Sequence, residues 1–261
     1  MGPEPHVGYG PLLSGYVVID MKRIAFAALV LAGLAGGSAH AQDEAGNCTT
    51  ALQLSNGLNP SVATVTSSAP RTQLIKSRSD SKACPSASAA CATKAYVVPN
   101  DEVFTGQAFG DFICATLVNA KGRATSGWLP KASITIKPAT PVALADWLGT
   151  WSTGIEHEIR ISRGKKAGTL ALDAMATFGA KDPDRVKRGA VNMGDFKAER
   201  APKDAFLEFT VGPKGTLAHS EGDTSDCKVQ LLRVGNALVV EDNGQCGGMN
   251  VSFSGLYRRQ K

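Results

Sequence analysis

The chain has few aromatic residues, 6% of its length, only four histidines, and no apolar run long enough to cross a membrane. Each shortage excludes something. A membrane-spanning helix needs roughly 20 consecutive apolar residues, and the best candidate, Ile24 to Leu34, is far shorter. Only His157 and His219 follow residue 41, neither stands near a cysteine, and no C-x-x-C or H-E-x-x-H occurs, so zinc has no ligand spacing to use. Both histidines fall on predicted strands and are expected to face solvent. G-x-S-x-G, a P-loop and a G-x-G-x-x-G opening a helix are all missing. No metal and no cofactor is expected.

What is present begins with a leader. Lys22 and Arg23 precede the apolar run, small residues follow, and Ala39-His40-Ala41 supplies an A-x-A cleavage site, so Met21 to Ala41 reads as a secretory signal peptide with the mature chain starting at Gln42. Residues 1–20, rich in Pro and Gly, belong outside the fold, and Met21 is the expected start. A periplasmic or extracellular location is implied. Removing residues 1–41 takes away Glu4, Asp20, Lys22 and Arg23 and leaves the net charge at +5. Basic and acidic residues alternate, as in Lys181 to Arg188, so no one-signed face for nucleic acid is expected.

All six cysteines lie after the cleavage site, an even number in an oxidising compartment where disulfides persist. Three bridges are expected. Cys227 and Cys246 flank one predicted hairpin, and Cys84 and Cys91 bracket a Pro-Ser-Ala-Ser-Ala-Ala loop, which leaves Cys48 for Cys114; other pairings stay open on sequence alone.

Abundant Gly, few aromatics and scarce helical periodicity after Leu148 predict an all-β chain. Residues 42–69, rich in Ser, Thr, Asn and Ala, read as a loosely structured lead-in held by Cys48. A first module spans residues 70–137, with strand-like segments at residues 72–77, 94–98, 102–108, 111–118, 124–129 and 133–136. Residues 138–146, opened by Pro138 and Pro141, form a linker. A second module spans residues 147–261, with eight strands at residues 155–163, 169–178, 189–200, 206–211, 216–220, 227–234, 237–242 and 249–259. Val142 to Trp147 reads as one helical turn that plugs this second module, and Gly235-Asn236 marks a tight hairpin between two of its strands.

The first module resembles a bacterial SH3-like domain in Tyr96-Val97-Val98-Pro99-Asn100-Asp101, Val103-Phe104-Thr105-Gly106, Gly110-Asp111-Phe112, Lys121-Gly122 and Gly127-Trp128-Leu129. The resemblance implies a small barrel with a long loop, here residues 77–93, and ligands such as peptides or cell-wall material bound by aromatics beside it. Tyr96, Phe109 and Trp128 are the aromatics in those positions, with core packing as their structural alternative. The second module resembles a lipocalin-like or calycin-like barrel: Gly149-Thr150-Trp151 matches the G-x-W of that group, and its closing run, Asp242 to Arg258, is similar to the C-terminus of secreted proteobacterial domains. That likeness implies a basic residue from the last strand, Arg258 or Arg259, laid over Trp151 as a cation-π cap. The module is short for a lipocalin, which favours a filled barrel.

Glu221, Asp223, Asp226, Glu241 and Asp242 gather near strand ends around the Cys227 to Cys246 hairpin, but their neighbours are polar turn residues, so they are expected to shape turns rather than form an acid-base pair. With no nucleophile pair, no metal cluster and no cofactor loop, the chain reads as a non-enzymatic secreted binding protein for cell-wall material or a peptide or protein ligand. An inhibitor of a cell-wall lytic enzyme, a carrier of small apolar ligands and a cell-wall hydrolase are the alternatives. Oligomeric state is not encoded in any motif.

Overall fold

Apolar residues recurring every second position make antiparallel strands the main regular structure of the described residues, with only short helices between them. The computed structural model describes residues 46–54, 60–119 and 122–260, all within one compact unit, Asp43–Lys261. The expected leader, Met21 to Ala41, and residues 1–20 lie outside the described residues. No described helix is long and apolar enough to cross a membrane.

The first module is a seven-stranded sheet of β1 (Ser61–Val65), β2 (Thr72–Ile75), β3 (Ala92–Val97), β4 (Glu102–Phe109), β5 (Phe112–Val118), β6 (Ala124–Pro130) and β7 (Ile134–Ile136), in the order β3-β2-β6-β5-β4-β1-β7. Its inner face buries Ala63, Val65, Leu74, Val97, Ile113 and Leu129. One expectation is corrected here. The lead-in is not loose, because β1 lies inside it and pairs on both sides, with β4 and β7. Ala63 and Val65 point inward while Val62 and Thr64 stay partly exposed, so a short period-2 pattern was hidden by small and hydroxylated residues. The segment before it is packed as well, with Ala51 and Leu54 buried.

The second module consists of α1 (Leu144–Trp147), β8 (Gly149–Ser152), β9 (His157–Arg163), β10 (Leu170–Phe178), α2 (Pro183–Lys187), β11 (Asn192–Arg200), β12 (Phe206–Gly212), β13 (Gly215–Leu217), β14 (Cys227–Val234), β15 (Ala237–Asp242) and β16 (Gly255–Arg259). Its nine strands run β11-β10-β9-β8-β16-β15-β14-β12-β13. The two edges approach, and the Glu199 backbone N–H donates to Thr216 Oγ1 at 3.1 Å, so the sheet is a nearly closed barrel. The ninth strand is β8, which carries Trp151 and pairs with β9 and β16.

A strand over residues 249–259 is only half right. β16 begins at Gly255, and residues 243–254 instead fold over the barrel end. The Asp242 carboxylate holds them there, accepting from the Ser252 hydroxyl at 2.6 Å, the Phe253 N–H at 3.0 Å and the Ser254 N–H at 3.0 Å. Val251 and Phe253 thereby enter the barrel core.

Fully buried Trp147, Trp151, Tyr257, Phe209 and Phe253 fill that core, each contributing roughly 1.5–3 kcal/mol of burial free energy. α1 delivers Trp147 to one end, as the plug expected from residues 142–147. A third buried cluster joins the modules. Leu232, Val234, Ala237 and Val239 on the outside of the barrel share it with Phe104, Trp128 and the Cys48–Cys114 bridge of the first sheet. β14 and β15 are therefore buried on both faces, which explains their unbroken apolar runs.

The bridges are Cys48–Cys114, Cys84–Cys91 and Cys227–Cys246, and none of the six cysteines is free.

Candidate functional groove

The hairpin joining β4 to β5 turns at Gly110 and Asp111, with Gly110 in the left-handed region at φ +53° that glycine adopts without strain. Phe109 and Phe112 pair directly across it, so their rings lie on one side of the ladder and neither is fully buried. Across from them runs the loop closed by Cys84–Cys91. A 3₁₀ turn at Ala89–Cys91 stiffens this loop, and Ser88 Oγ caps the turn by accepting from the Ala90 N–H at 3.3 Å. Between the loop and the hairpin opens a groove of about 500 Å³, walled by Pro85, Ala87, Phe109, Phe112 and Pro130 with Asp111 at its rim.

The rings are braced from behind. Phe109 lies 6.0 Å from the Trp128 ring, and the Arg78 guanidinium stands 5.7 Å over Phe109. Trp128 itself is fully buried, its indole N–H donating to the Gly46 carbonyl at 3.2 Å. It supports the groove without being able to touch a ligand. Tyr96 is 41% exposed on edge strand β3, under the Arg71 guanidinium at 4.5 Å, and does not line the groove. Of the three expected contact residues, the structure therefore places only Phe109 in the groove. Phe112, Pro85 and Pro130 were missed, although the Phe-Gly-Asp-Phe spacing of a tight hairpin with an aromatic pair was there to read.

The Trp151 cap is also corrected. The Arg259 and Arg233 guanidinium groups lie 4.9 and 4.4 Å from the Trp151 ring centroid, whereas Arg258 sits 5.8 Å over Phe104 of the first module. Adjacent strand residues face opposite ways, and the register sets Arg259 opposite Trp151 and Arg258 opposite Ser152. Arg233 rises from β14 inside the barrel and donates to the Gly235 carbonyl at 3.3 Å. Burial, then the neighbouring Arg259 charge, lower its pKa to about 10 against the opposing pull of Asp146. The Trp151 indole N–H donates to the Trp147 carbonyl at 2.8 Å, completing a packed end rather than a site.

The acidic residues around Cys227 and Cys246 serve the backbone. Glu221 accepts from the Ala218 N–H at 2.9 Å, Asp226 from the Asp223 N–H at 2.8 Å, and Glu241 from the Leu54 N–H across the module boundary. Among the described residues no group of three His, Cys, Asp or Glu side chains could hold a metal ion. Of the histidines, His219 lies on a turn after β13, 3.6 Å from Glu208, rather than on a strand. His157 is on β9 but half-buried, with Nδ1 2.9 Å from Thr153 Oγ1. Burial pushes its pKa down, with Lys181 adding to the effect and Glu156 and Asp242 opposing it.

The groove thus offers apolar contact, one carboxylate and exposed loop backbone. No family model, curated protein or solved structure matches the chain.

Proposed function

We propose that this is a secreted periplasmic protein that binds without catalysing a reaction, taking cell-wall material or an extended peptide into the groove of its first, SH3-like module. The observation that carries the reading is the facing of Phe109 and Phe112 against a disulfide-stapled rim, which holds an apolar slot open without help from a ligand. Three disulfides fit an oxidising compartment. The lipocalin-like barrel lends rigidity rather than a cavity, because its interior is occupied by its own aromatics; carriage of a small apolar ligand is correspondingly disfavoured.

A second reading is inhibition of a cell-wall lytic enzyme. It draws on the same loop, where Ala87, Ser88, Ala89 and Ala90 are exposed on a stapled turn shaped to enter a cleft. One experiment separates the two. Oxidised protein is incubated with purified peptidoglycan and, separately, with lysozyme, beside an Ala87→Trp variant that fills the groove from its exposed rim. Retention on peptidoglycan that Ala87→Trp abolishes supports the binding reading, and inhibition of lysozyme supports the second. Undiminished peptidoglycan binding by Ala87→Trp refutes the groove as the site.

A further inference from the structure

The chain keeps its oxidisable side chains in two different places. All three methionines after residue 41 are on the surface of the second module, with Met249 79%, Met193 61% and Met175 50% exposed, whereas Trp128, Trp147 and Trp151 are fully buried. Methionine is ordinarily found the other way about, as an unbranched apolar side chain that fills gaps in a core. None of the three belongs to a buried cluster. No thiol competes with them for oxidant, because every cysteine is in a disulfide.

The strand register explains why two of them face out. On β10 Leu170, Leu172, Ala174 and Ala176 are buried, so Met175 is on the opposite, outer face, between Glu158 of β9 and Asp195 of β11. Met193 is opposite Thr177 on that same face, one diagonal step from Met175. Met249 belongs to the loop after β15, beside the start of β11. There the Asn192 side-chain amide donates to the Met249 carbonyl, and the Gly248 N–H donates to the Met193 carbonyl at 3.0 Å. The backbone at Met193 and Met249 is thus held by bonds in which the thioethers take no part, and chemistry at sulfur leaves those bonds in place.

We propose that Met175, Met193 and Met249 form an oxidant-accepting site, at which a peroxide is reduced without loss of the fold. In each event a thioether sulfur attacks one oxygen of hydrogen peroxide. The S–O bond forms as the O–O bond breaks, and the departing hydroxide takes up the proton of the transferred hydroxyl and leaves as water. Sulfur is oxidised by two electrons to the sulfoxide, and the peroxide is reduced by the same two. The site is consumed stoichiometrically, one peroxide for each thioether. A sulfoxide formed inside a core puts a polar group among apolar ones and disrupts the packing. Here the oxygen is added at side chains open to water, at Met175 between two carboxylates, and no contact of the barrel core is lost. The site is on the outside of the barrel and does not depend on the groove of the first module.

The test is treatment of the disulfide-intact full chain with hydrogen peroxide, once folded and once in denaturant, with each methionine followed by peptide mass spectrometry. Met175, Met193 and Met249 should oxidise in the folded chain within about threefold of their unfolded rates, and the three tryptophans should stay unmodified. Circular dichroism and the thermal midpoint should be unchanged once all three are sulfoxides. Met175→Leu with Met193→Leu and Met249→Leu, a volume-conserving change at exposed positions, should fold as the parent does and consume three equivalents of peroxide fewer per chain. Protection of these methionines by about tenfold or more in the folded chain would overturn the proposal, since the thioethers would then not be open to oxidant. So would loss of native circular dichroism on sulfoxide formation, oxidation of the tryptophans ahead of the methionines, or undiminished peroxide consumption by the folded triple variant.

Discussion

Gly194 and Gly247 meet backbone to backbone, close enough that a Cβ on Gly194 would stand 2.6 Å from the Gly247 Cα and 2.5 Å from the Cys246 carbonyl oxygen. No side chain fits there. The contact presses the loop after β15 onto β11, and the Cys227–Cys246 bridge and the Asp242 clamp hold it from the other side. Gly194→Ala should therefore lift the loop and cost about 1–3 kcal/mol, the usual penalty for overpacking. Gly248→Ala, whose nearest neighbour would be 3.4 Å away, should cost little. Denaturant midpoints of the two variants check this, and equal midpoints would show that the loop is free to move.

Trp151 carries two guanidinium groups, but only one of them comes from the strand expected to supply it. Arg259 also donates to the Asp146 carbonyl, so it ties β16 to α1 as well as covering the indole. Arg259→Ala should cost about 0.5–1 kcal/mol, the range for a solvent-exposed cation-π contact, and should change the near-ultraviolet circular dichroism of the buried tryptophans. Arg258→Ala should leave that signal intact, because its guanidinium lies over Phe104. A larger tryptophan change from Arg258→Ala than from Arg259→Ala would reverse the assignment.

These particulars show what the sequence made legible. Disulfide partners could be read because Cys227 and Cys246 flank a hairpin whose Gly235-Asn236 turn was clear, and because Cys84 and Cys91 close a short loop. The choice between Arg258 and Arg259 could not, since a one-residue change of strand phase exchanges the faces and the phase is set by partners distant in sequence. β1 was obscured by composition, its inward residues being a small Ala63 and a single Val65. Residues 249–254 read as the start of the last strand because Val251 and Phe253 alternate, but the convergence of N–H and hydroxyl donors on Asp242 bends them out of the ladder. The sequence alone leaves Trp128 a candidate ligand contact, because nothing near it in the chain shows what lies over it. The segment around Gly46 covers it, joined to the sheet by the Cys48–Cys114 bridge.

The pH dependence of stability should have two separate windows at the barrel end. His157 is held below its usual value of 6.5, first by burial, so the folded state binds fewer protons than the unfolded one between that lowered value and 6.5. Stability then falls as pH is lowered from about 6.5 and levels off below the folded value. Glu156 behaves as a carboxyl of depressed pKa. Burial pushes it up, but hydrogen bonds and charge from Lys181 and the Gly179 N–H outweigh that and leave it below 4.5. Its contribution is present above 4.5 and is lost as pH falls through the depressed value. His157→Gln should flatten only the upper window and Glu156→Gln only the lower. Thermal midpoints across the acid range check the pair, and an upper window that survives His157→Gln would place its origin elsewhere.

The modules should unfold as one body, because neither can leave the other without exposing the apolar cluster they share. Val239 and Ala237 are fully buried on the outside of the barrel, and Phe104 is nearly so on the first sheet, within the same cluster. The Arg258 guanidinium over Phe104 and the Leu54 N–H on Glu241 add polar ties across the boundary. Phe104→Ala removes a large side chain from this cluster and should cost about 3–5 kcal/mol. If the boundary is part of a single cooperative unit, that loss is felt equally on both sides of it. Hydrogen exchange gives the measurement: amides of β5 in the first module and β10 in the second should speed up by the same factor in Phe104→Ala. Acceleration confined to β5, with β10 protected as before, would mean that the barrel is stable alone and that the shared cluster joins two independent domains.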